Sequence, residues 1–281
     1  MAKTKKITAS KVDAMQKKGR GLGHGVEYTP WFTVRDVPSI GLSTRVLGWK
    51  TGRIHHFLSQ LESSYFYTLE WSLAVTDIRE HLPMDVEETV KIADRLGITH
   101  PLDPDTKEPI VMTTDFVLNV LDNETTCLVA RTVLPNSELN SKRRVEKLEI
   151  ERVYWNEQGV NWGIVTDQEI PEGLVKNIVW VHEMFHLDEL VGFSEAMINQ
   201  IEPKLYEAIC ASELSLSEAT RWVDDRLGFD PGTSLTICRH LIANRRWIVD
   251  MITKINPSNQ LVIRERITEK DQLSMKEGYV S

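Results

Sequence analysis

Residues 110–120, IVMTTDFVLNV, and residues 126–133, TCLVARTV, decide the fold of the first half of this chain. Both runs are rich in β-branched and aromatic residues, and the turn formers Asp122 and Asn123 lie between them. We therefore predict an antiparallel hairpin. The flanking sequence predicts a helix over 56–71, a strand over 73–81, a charged helix over 141–156 and a last strand over 161–166.

The predicted order is helix, strand, strand, strand, helix and strand. This is the order of the core of restriction-endonuclease-like folds, although many α/β domains contain such a run. We predict an α/β chain whose residues 1–168 form a restriction-endonuclease-like domain with a basic N-terminal arm.

Residues 169–281 have a helical pattern that ends in a hairpin. Pro171 is typical of a first helical position, Pro203 predicts a break or restart, and Ser215 with Glu218 forms a capping box. Helices followed by a hairpin favour a winged-helix-like domain, and a helical protein-interaction domain fits the pattern equally well. The predicted helices cover about 171–187, 194–212, 215–228 and 233–244, and the hairpin strands 247–252 and 261–267.

Composition limits the class of protein. The chain has 281 residues, of which 41% are hydrophobic and 26% are charged, as in folded domains rather than disordered chains. No apolar run is long enough for a membrane span, and no apolar stretch follows the basic N-terminus as in a secretory signal. The three cysteines are too few for a disulfide framework or a four-cysteine zinc site. We expect a reduced, cytoplasmic protein.

Charge is distributed unevenly along the chain. Residues 1–60 hold eleven Lys/Arg and three Asp/Glu, a net charge of +8, so the remaining residues carry −16. A basic arm on an acidic body favours a polyanionic partner, and a solvated tail is the alternative. The glycine-rich residues 20–25 follow no strand, which excludes a dinucleotide-binding loop. We expect residues 1–25 to be mobile.

Two acids could serve phosphodiester chemistry. Glu62 lies on the predicted helix over 56–71, and Asp115 lies in the first hairpin strand. Phosphodiester cleavage uses divalent metal held by acidic oxygens, and Mg²⁺ prefers such ligands. Taken singly, each acid is more often an ordinary solvated side chain.

His182 and His186 belong to an H-E-x-x-H string, the pattern of zinc proteases. Two histidines four apart on a helix can bind one zinc ion. Both continue the apolar side of the predicted helix, and no third histidine follows at the expected spacing. A buried structural pair is the favoured interpretation.

Several motifs together resemble the TnsA family. They cover roughly residues 19–167 in a consistent order. The motifs are GRGLGHG (19–25), YTPW (28–31), KTGRIHHFLSQLE (50–62), LEW (69–71), DIRE (77–80), TDF (114–116) and EKLEIER (146–152).

The resemblance implies the endonuclease subunit of a heteromeric cut-and-paste transposase. Such a subunit cuts the 5′ strands at transposon ends, while the transposase TnsB cuts and joins the 3′ strands and the ATP-dependent regulator TnsC engages its C-terminal region. The family site implies Mg²⁺, or Mn²⁺, on Glu62, Asp115 and the backbone carbonyl of Val133. We assign contacts with DNA to five basic residues: Arg20, Lys50, Arg53, Arg239 and Arg245.

One catalytic position departs from the family pattern. The family has a Gln-x-Lys-like tripeptide before a proline, and the matching residues here are Thr132, Val133 and Leu134, before Pro135. A lysine there would orient the attacking water and stabilise phosphorane charge, and leucine can do neither. The hypothesis is that fold and acidic site persist while cleavage is impaired.

Two questions about that site stay open at this point. Lys142 and Arg143, at the start of the next helix, are alternative sources of the missing positive charge. A non-catalytic DNA-binding subunit that bridges TnsB and TnsC is the alternative function.

Overall fold

The computed structural model describes residues 9–36, 42–123, 125–187 and 192–267. The chain divides into two compact units, Met1–Ile170 and Pro171–Ser281. Among the described residues, no helix is long and apolar enough to cross a membrane.

A four-stranded sheet forms the centre of the first unit. Its strands stand in the order β3-β4-β5-β6, antiparallel except that β6 runs parallel to β5. The predicted hairpin is confirmed, with Phe116 opposite Arg131. The strands are β3 (Val75–Pro83), β4 (Thr113–Asp122), β5 (Thr125–Val133) and β6 (Asn161–Val165).

Helices and a small hairpin surround this sheet. The predicted helix over 56–71 begins later than expected, because Phe57 ends a strand and Ser59 caps the helix that follows. The structure adds four elements that the sequence analysis did not predict: α1, β1, β2 and α3. The remaining elements of this unit are α1 (Ala9–Lys17), β1 (Thr44–Leu47), β2 (Ile54–Phe57), α2 (Gln60–Trp71), α3 (Val86–Leu96) and α4 (Lys142–Glu157).

The glycine-rich segment packs against β3 instead of being mobile. The Tyr28 hydroxyl donates to the carbonyl of Glu80 at 2.9 Å, and the Gly25 amide donates to Asp77 at 3.2 Å. Gly21 has a φ of +78°, and a Cβ there would lie 2.3 Å from the Pro83 side chain. A side chain at position 21 would therefore push the segment off the strand. Residues 1–8 of the predicted mobile arm lie outside the described residues.

An aromatic core holds α2 on the sheet. The rings of Phe57 and Phe66 lie 4.8 Å apart, and those of Phe57 and Phe116 lie 6.0 Å apart. All three side chains are fully buried. This packing holds α2 against the sheet.

In the second unit, the described residues form four helices followed by two paired strands. Pro203 lies inside a continuous α6, so the predicted break does not occur. The capping box of Ser215 and Glu218 is confirmed, and Gly228 ends that helix in the left-handed conformation. The order of elements agrees with the prediction, and the winged-helix character stays a prediction. The elements are α5 (Glu172–His182), α6 (Glu195–Cys210), α7 (Leu216–Leu227), α8 (Thr233–Ala243), β7 (Trp247–Val249) and β8 (Ile263–Arg266).

Candidate active site

Glu62 is held at the first turn of α2. The Leu58 amide donates to its Oε2 at 2.9 Å, and the Ser59 hydroxyl donates to its Oε1 at 2.9 Å. The amide of Glu62 in turn donates to the Ser59 hydroxyl at 3.1 Å. These bonds fix the carboxylate in one orientation, and a helix N-terminus favours its negative charge.

Asp115 projects from β4 towards the end of β5. The Val133 amide donates to its Oδ2 at 2.8 Å. Burial, followed by the negative charge of Glu62, raises the pKa of Asp115 to about 6. Burial also raises the pKa of Glu62, against the hydrogen bonds from Leu58 and Ser59.

Glu62 and Asp115 therefore form an acidic pair whose charges repel each other. His81 lies close to the pair, with its Nε2 3.5 Å from Glu62 Oε2 and 3.0 Å from the carbonyl of His56. Since a carbonyl only accepts, the His81 Nε2–H donates to it. Two buried carboxylates with raised pKa values are typical of a functional site, and a bound cation would relieve their repulsion.

Glu151 of α4 is a third buried acid, which the sequence analysis missed as a site residue. The hydroxyls of Thr132 and Thr114 donate to its Oε1 at 2.6 and 2.7 Å. Burial, followed by the charge of Asp115, raises the pKa of Glu151 to about 7. Its sequence signal was its place in the EKLEIER motif, where it is one of five charged residues that the pattern cannot rank.

Leu134 lies just beyond the end of β5 and is only 1% exposed. Its amide donates to the carbonyl of Val165 at 3.1 Å. Thr132 does face the acids, through its bond to Glu151. The structure thus places the predicted tripeptide beside Asp115, with an apolar side chain where the family pattern has lysine.

A cavity of about 1430 Å³ opens beside these groups. Its wall includes Asp115, Thr132 and Glu151 but not Glu62. Two cations of α4, Arg144 and Lys147, also line it. The site thus faces a space that a DNA strand could enter.

Lys142 and Arg143, the predicted substitutes for the missing lysine, do not line that cavity. Lys142 is exposed at the first residue of α4. The Arg143 guanidinium lies 3.0 Å from Glu146 one turn along the helix.

The five predicted DNA contacts have other partners within the described residues. Arg53 is 8% exposed and donates to both carboxylate oxygens of Glu80, so its guanidinium supports the fold. Three of the others make these contacts: Arg20 with Asp36 at 2.5 Å, Lys50 with the carbonyl of Ser72 at 2.7 Å, and Arg239 with the carbonyl of Trp180 at 2.6 Å. The backbone of Arg245 is left-handed, with a φ of +55°.

The H-E-x-x-H string is split by the end of a helix. α5 ends at His182, and Glu183 is its C-cap. His186 therefore does not lie one turn along the same helix, and the geometry of a zinc protease is missing. The described residues also contain no group of three or more His, Cys, Asp or Glu side chains arranged for a metal ion.

The acid pair has a consequence for stability that can be measured. We expect Asp115→Asn to stabilise the metal-free protein at about pH 7.5 by about 1–3 kcal/mol, and to have little effect below about pH 4. The pKa of Asp115 is about 6 in the folded chain, against an ordinary value of 3.8. Between those values the unfolded chain loses a proton that the folded chain keeps, so folding loses stability as the pH rises.

Urea unfolding with a chelator present, at both pH values, measures this effect. Asp122→Asn, at the exposed end of the same strand, is the matched control. A gain that is equal at low and high pH would show that the repulsion is not its cause.

Comparison with known proteins identifies the family of this chain. A family model described as TnsA-like endonuclease N terminal matches residues 72–167, and one described as TnsA endonuclease C terminal matches residues 169–251. The chain is 37% identical over 228 residues to the Transposon Tn7 transposition protein TnsA of Escherichia coli, which covers 81% of this chain and 81% of that relative. The resemblance drawn from the motifs is confirmed, and the chain belongs to the TnsA family.

Proposed function

We propose that this chain is a metal-dependent DNA endonuclease subunit of a TnsA–TnsB-type transposase, and that it cuts the 5′ strands at transposon ends. The observation that carries the proposal is the pair of Glu62 and Asp115 beside a large cavity. The relative named above is a transposition protein, and both family models describe endonuclease regions. DNA, the transposase TnsB and the regulator TnsC are the proposed partners.

The donor set fits Mg²⁺ or Mn²⁺. Glu62 and Asp115 would supply one carboxylate each, and the Val133 carbonyl is the proposed third ligand. Mg²⁺ commonly binds through one or two carboxylates and keeps several waters, so a larger acidic cluster is not required. When bound, the metal would lower the pKa of a water nucleophile and neutralise charge on the scissile phosphate. The protein's own contribution is a fixed orientation of both carboxylates.

Leu134 limits the rate in this proposal. A lysine two residues beyond Thr132 would share its strand face and lie near the acids. Leucine supplies neither a proton acceptor nor a positive charge, so cleavage by this chain is slower than the fold allows.

We therefore expect Leu134→Lys to raise the rate of 5′-strand cleavage by about 10²-fold, the ordinary scale of a positioned acid–base group. The assay uses a transposon end with TnsB, TnsC and Mg²⁺. Leu134→Met is the matched control, because it keeps an apolar side chain of similar volume. Equal cutting by the lysine variant and the original chain would contradict the role given to position 134.

A non-catalytic assembly subunit is the second candidate, and Leu134 is the observation that favours it. Direct titration with Mn²⁺ separates the two. Binding that Glu62→Ala or Asp115→Ala abolishes supports the nuclease. Stable complexes of DNA, TnsB and TnsC without metal binding, and without cutting even by the Leu134→Lys variant, would support the assembly subunit.

A further inference from the structure

We propose that Arg144 of α4 supplies the positive charge that the cleavage site lacks at Leu134, and that the remaining cleavage by this chain depends on it. The inference rests on the proposed nuclease function. Arg144 lies on a helix, whereas the lysine of the family pattern lies at the end of a strand.

One face of α4 is presented to the cavity. Glu151 anchors this face, because its carboxylate accepts hydrogen bonds from Thr132 and Thr114 on the two central strands. Residues three, four and seven positions apart share a helix face. Four residues of α4 with this spacing line the cavity: Arg144, Lys147, Leu148 and Glu151.

The guanidinium of Arg144 is available to a phosphate. Its Nε is buried and lies 3.2 Å from Glu138 Oε2, without the alignment of a hydrogen bond. Within residues 125–187, its terminal nitrogens donate no hydrogen bond. The Glu138 side chain is 49% exposed, so this pair is held only weakly. A phosphate oxygen could replace the Glu138 carboxylate at small cost.

The charge of Arg144 also reaches the acidic pair. Its positive charge opposes the rise in the pKa of Asp115, which burial and Glu62 cause. Lys147 lines the same cavity, but burial and the neighbouring arginines lower the pKa of its ammonium. An arginine stays charged under such conditions, and its planar fork matches two phosphate oxygens.

The chemistry assigned to Arg144 is stabilisation of charge. Water forms a bond to phosphorus, and the leaving oxygen departs with the bonding electron pair and takes a proton from solvent. The guanidinium donates to the non-bridging oxygens as their negative charge grows. Arginine accepts no proton near neutral pH, so the proton of the water passes to solvent. A lysine at position 134 would act on both water and phosphate, which is why we expect the Leu134→Lys version to be faster.

The test compares single-turnover 5′-strand cleavage by four versions of the full chain, with TnsB, TnsC, Mg²⁺ and a transposon end. We expect Arg144→Met to lower the residual rate by about 10²-fold or more. Arg144→Lys keeps the charge and should retain part of the rate. Arg143→Met, on the same turn but away from the cavity, should change the rate less than about threefold.

A rescue variant separates catalysis from folding. Leu134→Lys in the Arg144→Met background should restore cutting, because the charge returns from β5. Damage to folding or assembly would not be repaired in this way, and thermal unfolding of Arg144→Met should match that of the original chain.

Three results would overturn the role of Arg144 but leave the proposed nuclease function standing. One is full cutting by Arg144→Met, and another is a loss seen with Lys147→Met but not with Arg144→Met. The third is a chain that cuts only after Leu134→Lys, which leaves the proposed nuclease function standing while Arg144 has no role. If neither the original chain nor Leu134→Lys cuts, the proposed function fails, and this inference fails with it.

Discussion

Asp115→Asn is expected to lower 5′-strand cleavage by roughly 10³-fold or more, the scale seen when a central member of a catalytic group is removed. Asparagine keeps the shape of the side chain and an oxygen that can accept from the Val133 amide. It lacks the negative charge that would hold a divalent cation beside Glu62. The variant therefore tests the charge and leaves the local hydrogen bond in place.

Single-turnover cleavage and Mn²⁺ titration should fail together in this variant, while folding improves above about pH 6 as argued for the acid pair. Asp122→Asn, on the same strand, should keep both cleavage and metal binding. Cleavage that survives in Asp115→Asn would remove Asp115 from the site. A loss of cleavage with metal binding intact would move the metal elsewhere.

The largest effect on stability is expected at Glu80. Its carboxylate is fully buried and accepts from Arg53 at 2.9 and 2.6 Å, and from His55 at 2.8 Å. The His56 amide donates to it as well, at 3.1 Å. The neighbouring His55 and Arg53 side chains hold the pKa of Glu80 far below its ordinary value, against the effect of burial.

We expect Glu80→Gln to cost about 3–5 kcal/mol of folding free energy, because it leaves the Arg53 guanidinium buried without its counter-charge. That cost would lower the thermal transition by roughly 6–20 °C for a unit of this size. Calorimetry of the full chain measures it. Glu87→Gln, an exposed glutamate in the first turn of α3, is the matched control.

A shift within about 1 kcal/mol would mean that the buried ion pair contributes no more than a surface pair does. The pH dependence gives a second check. A carboxylate whose pKa is lowered in the folded state adds stability above its unfolded pKa, and this stability is lost as the pH falls. The difference between Glu80→Gln and the original chain should therefore shrink as the solution is acidified below about pH 4.

Local patterns predicted the parts of the fold that local chemistry determines. The hairpin of β4 and β5 follows from two β-rich runs around a turn, and the capping box of Ser215 and Glu218 acts within four residues. The start of α2 was placed too early, because the apolar spacing of Phe57 fits both a helix and the strand that it joins. Periodicity shows which residues are buried together. Whether they form a helix or a strand depends on the segment that they pack or pair with.

Long-range pairing explains what the sequence could not provide at the site. Arg53 looked like a DNA contact, but its partner Glu80 lies 27 positions away and keeps it inside the fold. Glu151 was hidden among other charged residues of its helix, since its bond to Thr132 exists only once α4 docks on the sheet. Arg144 also lines the cavity only once α4 docks on the sheet, so the sequence did not single it out. Glu62 and Asp115 were recognised because both belong to family motifs. The sequence alone did not show that they lie close together in space.

The parallel strand β6 sets the order in which this site can be completed during synthesis. α4 lies between β5 and β6 in the sequence, so β6 can pair with β5 only after α4 has been synthesised. Until then the sheet lacks its last strand. A nascent chain at that stage carries Glu62 and Asp115 but lacks Glu151 and Arg144. The proposed site therefore stays incomplete until α4 has emerged and has docked on the sheet.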